Sequence, residues 1–201
     1  MPLFKRSPPK EKPDWPPMSS VIKPLRSLTD KGDIKPTRTA GLLFRDKADV
    51  SYLNELDKNL NEALHTGEGA TDTAFRIVDD ALGGGLKWVI FEDDDLADLT
   101  SSVYTAGNAI SANGAKGRII CTVFPLSFTH SVRQGDTRNF LRTYLIYRYD
   151  RQAYYPFVPT GDKEGDRDRP SEVQLAKELN GVGVAIDQSL ENWRGIWGMP
   201  L

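Results

Sequence analysis

Apolar residues recur along this chain at spacings that change from one stretch to the next. Leu53, Leu56, Leu60 and Leu64 follow one another at intervals of three, four and four, which places them on one face of a helix. Ser51 stands ahead of them as the expected N-cap, and Gly67 with Gly69 stops the run. Leu96, Leu99, Val103, Ala106 and Ile110 spell a second such face, closed by Asn113-Gly114. Asp93-Asp94-Asp95 precedes it, where carboxylates meet the positive end of a helix dipole.

Between and after these runs the period shortens to that of strands. Ala40 to Arg45 predicts a short strand. Phe75–Val78 and Leu86–Phe91 flank Gly83-Gly84-Gly85 as the arms of a hairpin. A helix over 72–82 with a glycine stop is the competing reading. Residues 117–128 and 140–157 are rich in β-branched and aromatic side chains. Leu141, Thr143, Leu145, Tyr147 and Tyr149 alternate with Arg142, Tyr144, Ile146, Arg148 and Asp150, which predicts strands with one face drier than the other. Asp150-Arg151-Gln152 reads as a tight turn, 161–170 as a charged loop, and 171–180 and 187–196 as helices. The order predicts an α+β fold: a largely antiparallel sheet of about five to six strands with helices packed on one side.

The first 36 residues do not share this patterning. They hold eight of the 13 prolines, including Pro8-Pro9 and Pro16-Pro17. Proline lacks an amide hydrogen and restrains its predecessor, which argues against a long helix or a central strand. Residues 1–36 are therefore expected to form a flexible, mostly extended arm, and 37–201 a single α+β domain. The arm is basic. Residues 1–38 carry nine Lys/Arg against four Asp/Glu, whereas the whole chain has a net charge of −2. Such a segment either touches an anionic surface or acidic partner, or simply keeps the chain soluble.

No stretch approaches the roughly 18–20 consecutive apolar residues of a membrane span, and no apolar run follows the basic residues near Met1. The single cysteine, Cys121, suits a reducing compartment, so a cytoplasmic location is expected. Cys121 lies in the apolar run Ile119 to Phe124, as a core residue would.

Candidate chemistry is sparse. The glycines at 83–85 lead into a strand, whereas a phosphate cradle leads into a helix. Asp93-Asp94-Asp95 lacks the alternating spacing of a calcium loop. His65 and His130 fit no zinc spacing, and Ser127, His130 and Asp136 lack a nucleophile elbow. Arg142 to Tyr149 interleaves aromatics with arginines as a stacking surface for nucleic acid would, yet the body around it is acidic. No catalytic, metal or cofactor site is expected, and no nucleic-acid partner.

The densest group of aromatics is Tyr154-Tyr155-Pro156-Phe157 together with Trp193 and Trp197. Such side chains dominate both binding hot spots and cores. Either they form a contact surface, or the end of the chain folds back and both tryptophans plug the interior.

At Tyr154 to Gly161, at Arg167-Asp168 and at Trp193…Trp197-Gly198-Met199-Pro200 the chain resembles the PspAB family, proteins associated with phage shock protein A. Leu3-Phe4-Lys5-Arg6 and Phe75 to Val89 are similar to that family too. The resemblance implies a non-enzymatic accessory role beside PspA in the envelope stress response, encoded near an HtpX-type membrane protease; the peripheral membrane contact expected here comes from the basic arm. It carries no catalytic residues. The expected partner-binding residues are Leu3, Phe4, Lys5, Arg6, Trp15, Tyr154, Tyr155, Phe157 and Trp197. The alternative is a small-ligand sensor or enzyme with a site assembled from scattered residues, in a pocket lined by Arg142, Tyr144, Arg148 and Tyr154.

Overall fold

The computed structural model describes residues 15–31, 34–46, 50–66, 70–81, 83–115, 117–129 and 140–201. Two helices open it, α1 (Trp15–Ser19) and α2 (Ile22–Lys31), then the strands β1 (Ile34–Pro36) and β2 (Thr39–Arg45). The leucine run forms two helices, α3 (Ser51–Asn54) and α4 (Leu56–His65). They are followed by β3 (Ala74–Asp79), β4 (Leu86–Glu92) and the long helix α5 (Leu96–Ile110). The strands β5 (Ile119–Thr129), β6 (Phe140–Arg148) and β7 (Ala153–Phe157) come next, then α6 (Arg169–Gly181).

Six strands lie in the order β3-β4-β2-β5-β6-β7, with β1 paired to β5, and every strand pair is antiparallel. Residues directly opposite in neighbouring strands share a face. The register Phe91↔Ala40, Leu42↔Thr122 and Thr122↔Tyr147↔Tyr154 defines one face, and Ile90↔Gly41↔Val123↔Ile146↔Tyr155 defines the other. Helix α5 packs on β2, β4 and β5, with α1, α2 and α4 gathered around it. Gly107 of α5 lets the helix sit close to this face: a Cβ built there would lie 2.8 Å from the Tyr149 hydroxyl.

Several expectations need correcting. The extended arm does not hold over residues 15–36, where the chain forms α1, α2 and β1. Met18, Val21, Leu25 and Leu28 recur at helical spacing and are buried, so tertiary burial outweighs the proline content. Pro24 sits in the first turn of α2, where an amide hydrogen has no helical partner anyway. Residues 1–14 lie outside the described residues. The cap of α3 is Val50 without a side-chain bond, and Ser51 is its first residue; Gly67 and Gly69 lie outside the described residues. Residues 187–196 form only a short 3-10 turn at Leu190–Asn192. Strand β6 has no wet face over Thr143–Tyr147, because the sheet is covered on both sides.

Other expectations match. The hairpin β3–β4 turns through Gly83, Gly84 and Gly85, all in the left-handed region at φ of 68°, 67° and 73°. Asp95 caps α5, its carboxylate accepting from the amides of Ala97 and Asp98. Gln152, at φ 51°, closes the turn between β6 and β7.

Candidate functional site

Strand β7 sends alternate side chains to opposite faces, as a period of two requires. Tyr154 points to the helix-covered face, fully buried, and its hydroxyl donates to the Met18 carbonyl at 2.6 Å. Tyr155 and Phe157 point the other way, toward the end of the chain. After α6, residues 184–187 run along the free edge of β7: Tyr154 N donates to the Ala185 carbonyl, and Asp187 N to the Tyr154 carbonyl. The chain then crosses the second face. Trp193 stacks on Tyr155 with ring centroids 6.2 Å apart and planes 18° apart. Trp197 meets Phe157 edge-on at 5.1 Å and 84°. Leu201 reaches β2, where a Cβ on Gly41 would lie 3.0 Å from its Cδ1 and 2.9 Å from the Trp88 ring.

Polar groups fix this crossing. The Glu172 side chain of α6 is fully buried, and Arg167 beside it is 8% exposed. Arg167 Nη2 donates to Glu172 Oε2 at 2.8 Å and Nε to Oε1 at 2.9 Å, while Val158 N donates to Oε1 at 3.0 Å. A two-pronged guanidinium–carboxylate pair like this supplies geometry as well as attraction. The guanidinium lies over the Phe157 ring at 5.0 Å, and its Nη1 donates to the Trp193 carbonyl at 3.1 Å. The two indole nitrogens also donate to main-chain oxygens, Trp193 to Asp187 at 3.0 Å and Trp197 to Asp166 at 3.1 Å. Burial pushes the Tyr155 hydroxyl up in pKa, so it stays a donor, and it donates to the Arg194 carbonyl at 2.9 Å. The segments around Tyr154, Arg167-Asp168 and Trp193–Met199 thus form one interlocked cluster. Helix α6 starts at the right place because Asp168 caps it, accepting from Ser171 N, with Pro170 in its first turn.

A scan of protein families matches the PspA associated protein B model over residues 12–201. The chain belongs to the PspAB family. No curated protein gives a significant match, and no solved structure does. The PspAB name itself records association with PspA.

Against that background, the expected contact residues fall in different places in this PspAB fold. Leu3, Phe4, Lys5 and Arg6 lie outside the described residues. Trp15 is half-buried, its ring 4.9 Å from Tyr104 of α5. Tyr154, Tyr155 and Phe157 are 0%, 1% and 0% exposed, so these rings present no surface to a partner. The fold fills with its own aromatic residues the space they would offer. Trp197 is partly buried on Phe157 and lines a cleft of about 250 Å³ with Arg142, Tyr144 and Thr160. The expected pocket of Arg142, Tyr144, Arg148 and Tyr154 does not assemble, because Tyr154 faces the opposite side of the sheet. Glu172 carries no motif of its own in the sequence. The cap Asp168 followed by Pro170 signals the helix start, and would have placed Glu172 in the first turn beside Arg167.

The remaining candidates have structural partners. Cys121 is 2% exposed, and burial raises its thiol to about 12. His65 is engaged at both ring nitrogens, with Asn61 at 2.9 Å and the Thr73 carbonyl at 3.0 Å. Asp93 accepts from Thr73 at 2.6 Å, and Asp95 from Arg26 at 2.7 Å. Desolvation opposes ionisation of Asp95, but the Ala97 and Asp98 amides and Arg26 together lower its pKa. Among the described residues no group of three His, Cys, Asp or Glu is placed to hold a metal ion. His130 and Asp136 lie outside them. Among the described residues no helix is long and apolar enough to cross a membrane.

Proposed function

We propose that this PspAB-family protein is a non-enzymatic accessory partner of a PspA-type protein in the envelope stress response, acting by surface contact from the cytoplasmic side. The observation that carries this reading is the family match over residues 12–201 and the association its name records. The state of the reactive groups favours contact over catalysis. The Cys121 thiol is shielded, the Glu172 carboxylate is held by Arg167, and His65 is bonded at both nitrogens. A membrane protease of the HtpX type is a further candidate partner, on the family resemblance alone. Lys5 and Arg6, flanked by Leu3 and Phe4, are the residues suited to an anionic membrane surface.

Affinity capture of the native chain from a PspA-containing cell is the direct test. Recovery of the PspA-type protein is expected, with weaker recovery when Leu3 and Phe4 become Ala and Lys5 and Arg6 become Glu. Capture that never enriches a PspA-type protein above a tag-only control rejects the role. The second reading rests on the cleft beside Trp197, where Arg142 and Thr160 offer polar groups next to apolar walls. A metabolite panel that raises the melting temperature, with the rise abolished by Arg142→Ala, favours that reading.

A further inference from the structure

The second face of the sheet holds its cover largely by main-chain oxygens. Arg148 Nη1 donates to the Asn192 carbonyl at 3.1 Å, and Arg142 Nη2 to the Leu201 main-chain oxygen at 2.7 Å. Arg167 and the Tyr155 hydroxyl do the same at Trp193 and Arg194. A surface that meets a chain in this way has the properties of a peptide-binding groove. Capture of the backbone gives affinity, and seats for side chains give selectivity. The seats here are the rings of Tyr155 and Phe157, which take two indoles four residues apart.

Two of the donors are set in place by groups that do not belong to the covering segment. Arg167 is oriented by Glu172, and Arg148 by Asp150, whose Oδ1 is 2.9 Å from its Nε. The groove is thus organised in advance of whatever fills it. The segment that fills it joins the body through one reversal. The Leu179 carbonyl accepts from Val182 N and Val184 N, and Gly183 turns the chain at φ 96°. Gly181, Val182 and Gly183 are all exposed, and a Cβ on either glycine would meet nothing within 4 Å. A change of conformation at these residues alone redirects the whole segment.

We infer that the groove takes residues 184–201 from a second copy of this chain, giving a tail-exchanged dimer. Each copy then seats its two tryptophans on Tyr155 and Phe157 of the other. Beyond the reversal itself, exchange replaces each contact between the segment and the body by the same contact made between copies. The balance between closed monomer and dimer therefore rests on the conformation of Gly181–Gly183 and on concentration. The inference stands apart from the PspA-related role, and either can fail without the other.

The test uses full-length chain in unlabelled and isotope-labelled forms, unfolded, mixed at high concentration and refolded. Native mass spectrometry and light scattering then report the species present. Dimers of mixed mass are expected, separating slowly on dilution because each tail must leave its seat. Gly183→Val strains the left-handed reversal and is expected to raise the dimer fraction about tenfold at equal concentration. Three residues inserted after Val182 relax the reversal and are expected to lower it. Absence of mixed dimers in the unaltered chain overturns the inference, as does a dimer whose amount ignores both hinge changes. If Gly183→Val fails to fold, seen as lost near-ultraviolet dichroism, the unaltered chain and the insertion still decide.

Discussion

Tyr154 and Tyr155 are neighbours in sequence, equally buried, and turned to opposite faces of one sheet. Beneath Tyr154 the cover is helical. Apart from the Met18 carbonyl at the end of α1, which accepts from Tyr154, the helices satisfy their backbone groups largely among themselves, and what they turn to the sheet is mainly apolar: Leu99, Val103, Ala106 and Ile110 of α5, and the Met18 side chain of α1. Above Tyr155 the cover has no ladder of its own beyond the turn at Leu190–Asn192. Its carbonyls must find partners elsewhere, and Arg148, Arg167 and Tyr155 of the body supply them. The contrast teaches that an irregular segment can close a sheet when its backbone is satisfied from below. That arrangement places charged groups in the interior, which a helix does not require.

The largest effects should fall on that interior charge. Glu172→Ala leaves the nearly buried Arg167 and the Val158 amide without their acceptor, and a broken buried pair costs about 3–5 kcal/mol. Denaturant unfolding measures it. A loss below about 1 kcal/mol would mean that the pair is not what anchors α6 and the tail.

Next come deletions that compare the two covers directly. Leu99→Ala, under the helical cover, should cost about 2–5 kcal/mol, and amide exchange should quicken throughout the sheet and α5. Trp193→Ala removes a larger side chain. However, the segment it anchors can detach on its own, and a local opening limits what the rest of the fold loses. Exchange should then rise steeply at 184–193 while α5 amides hardly change. Equal acceleration in both regions would show that the tail and the helices are one cooperative unit.

How far the sequence foretold this comparison differs between the two faces. The α5 face was legible because a helix announces itself by period: the spacing at Leu96, Leu99 and Val103 needs no knowledge of the sheet. The hairpin through Gly83–Gly85 was legible for the same local reason. The tail was not. Trp193 and Trp197 stand four apart, a spacing compatible with helix, and whether they face solvent or the core depends on Tyr155, Phe157 and Arg167, joined to them only by tertiary contact. The run 187–196 therefore reads as helix, and Tyr155 and Phe157 as a contact surface, although the run is largely irregular and both rings are interior. The arm misled for the opposite reason. Its prolines are a strong local signal, which the burial of Met18, Val21 and Leu25 outweighs.

A smaller effect probes the link between those early helices and the sheet. Tyr154→Phe removes a buried bond to the Met18 carbonyl that joins positions 136 apart in sequence. Leaving that carbonyl unpaired should cost about 1–3 kcal/mol, with faster amide exchange confined to α1 and the start of α2. An unchanged exchange pattern would mean that α1 is held by its apolar side chains alone.

The smallest effect expected is electrostatic, and it belongs to the tail face. The hydrogen bond from Arg148 lowers the pKa of Asp150, and the charge of Arg148 and a backbone amide lower it further against desolvation. A carboxyl whose pKa is depressed on folding adds stability that is complete above its unfolded value of about 4 and lost as pH falls through the folded value. Asp150 is 57% exposed, so solvent screens the pair and its contribution stays below about 1 kcal/mol. Asp150→Asn should therefore destabilise slightly at pH 7, and the difference from the unaltered chain should vanish once the pH has fallen through the depressed pKa of the folded carboxyl. Because Arg148 also grips the Asn192 carbonyl, the loss should appear as faster exchange at 189–193 and leave α5 untouched. A pH-independent difference, or one shared with α5, would mean that Asp150 does not orient Arg148 toward the tail.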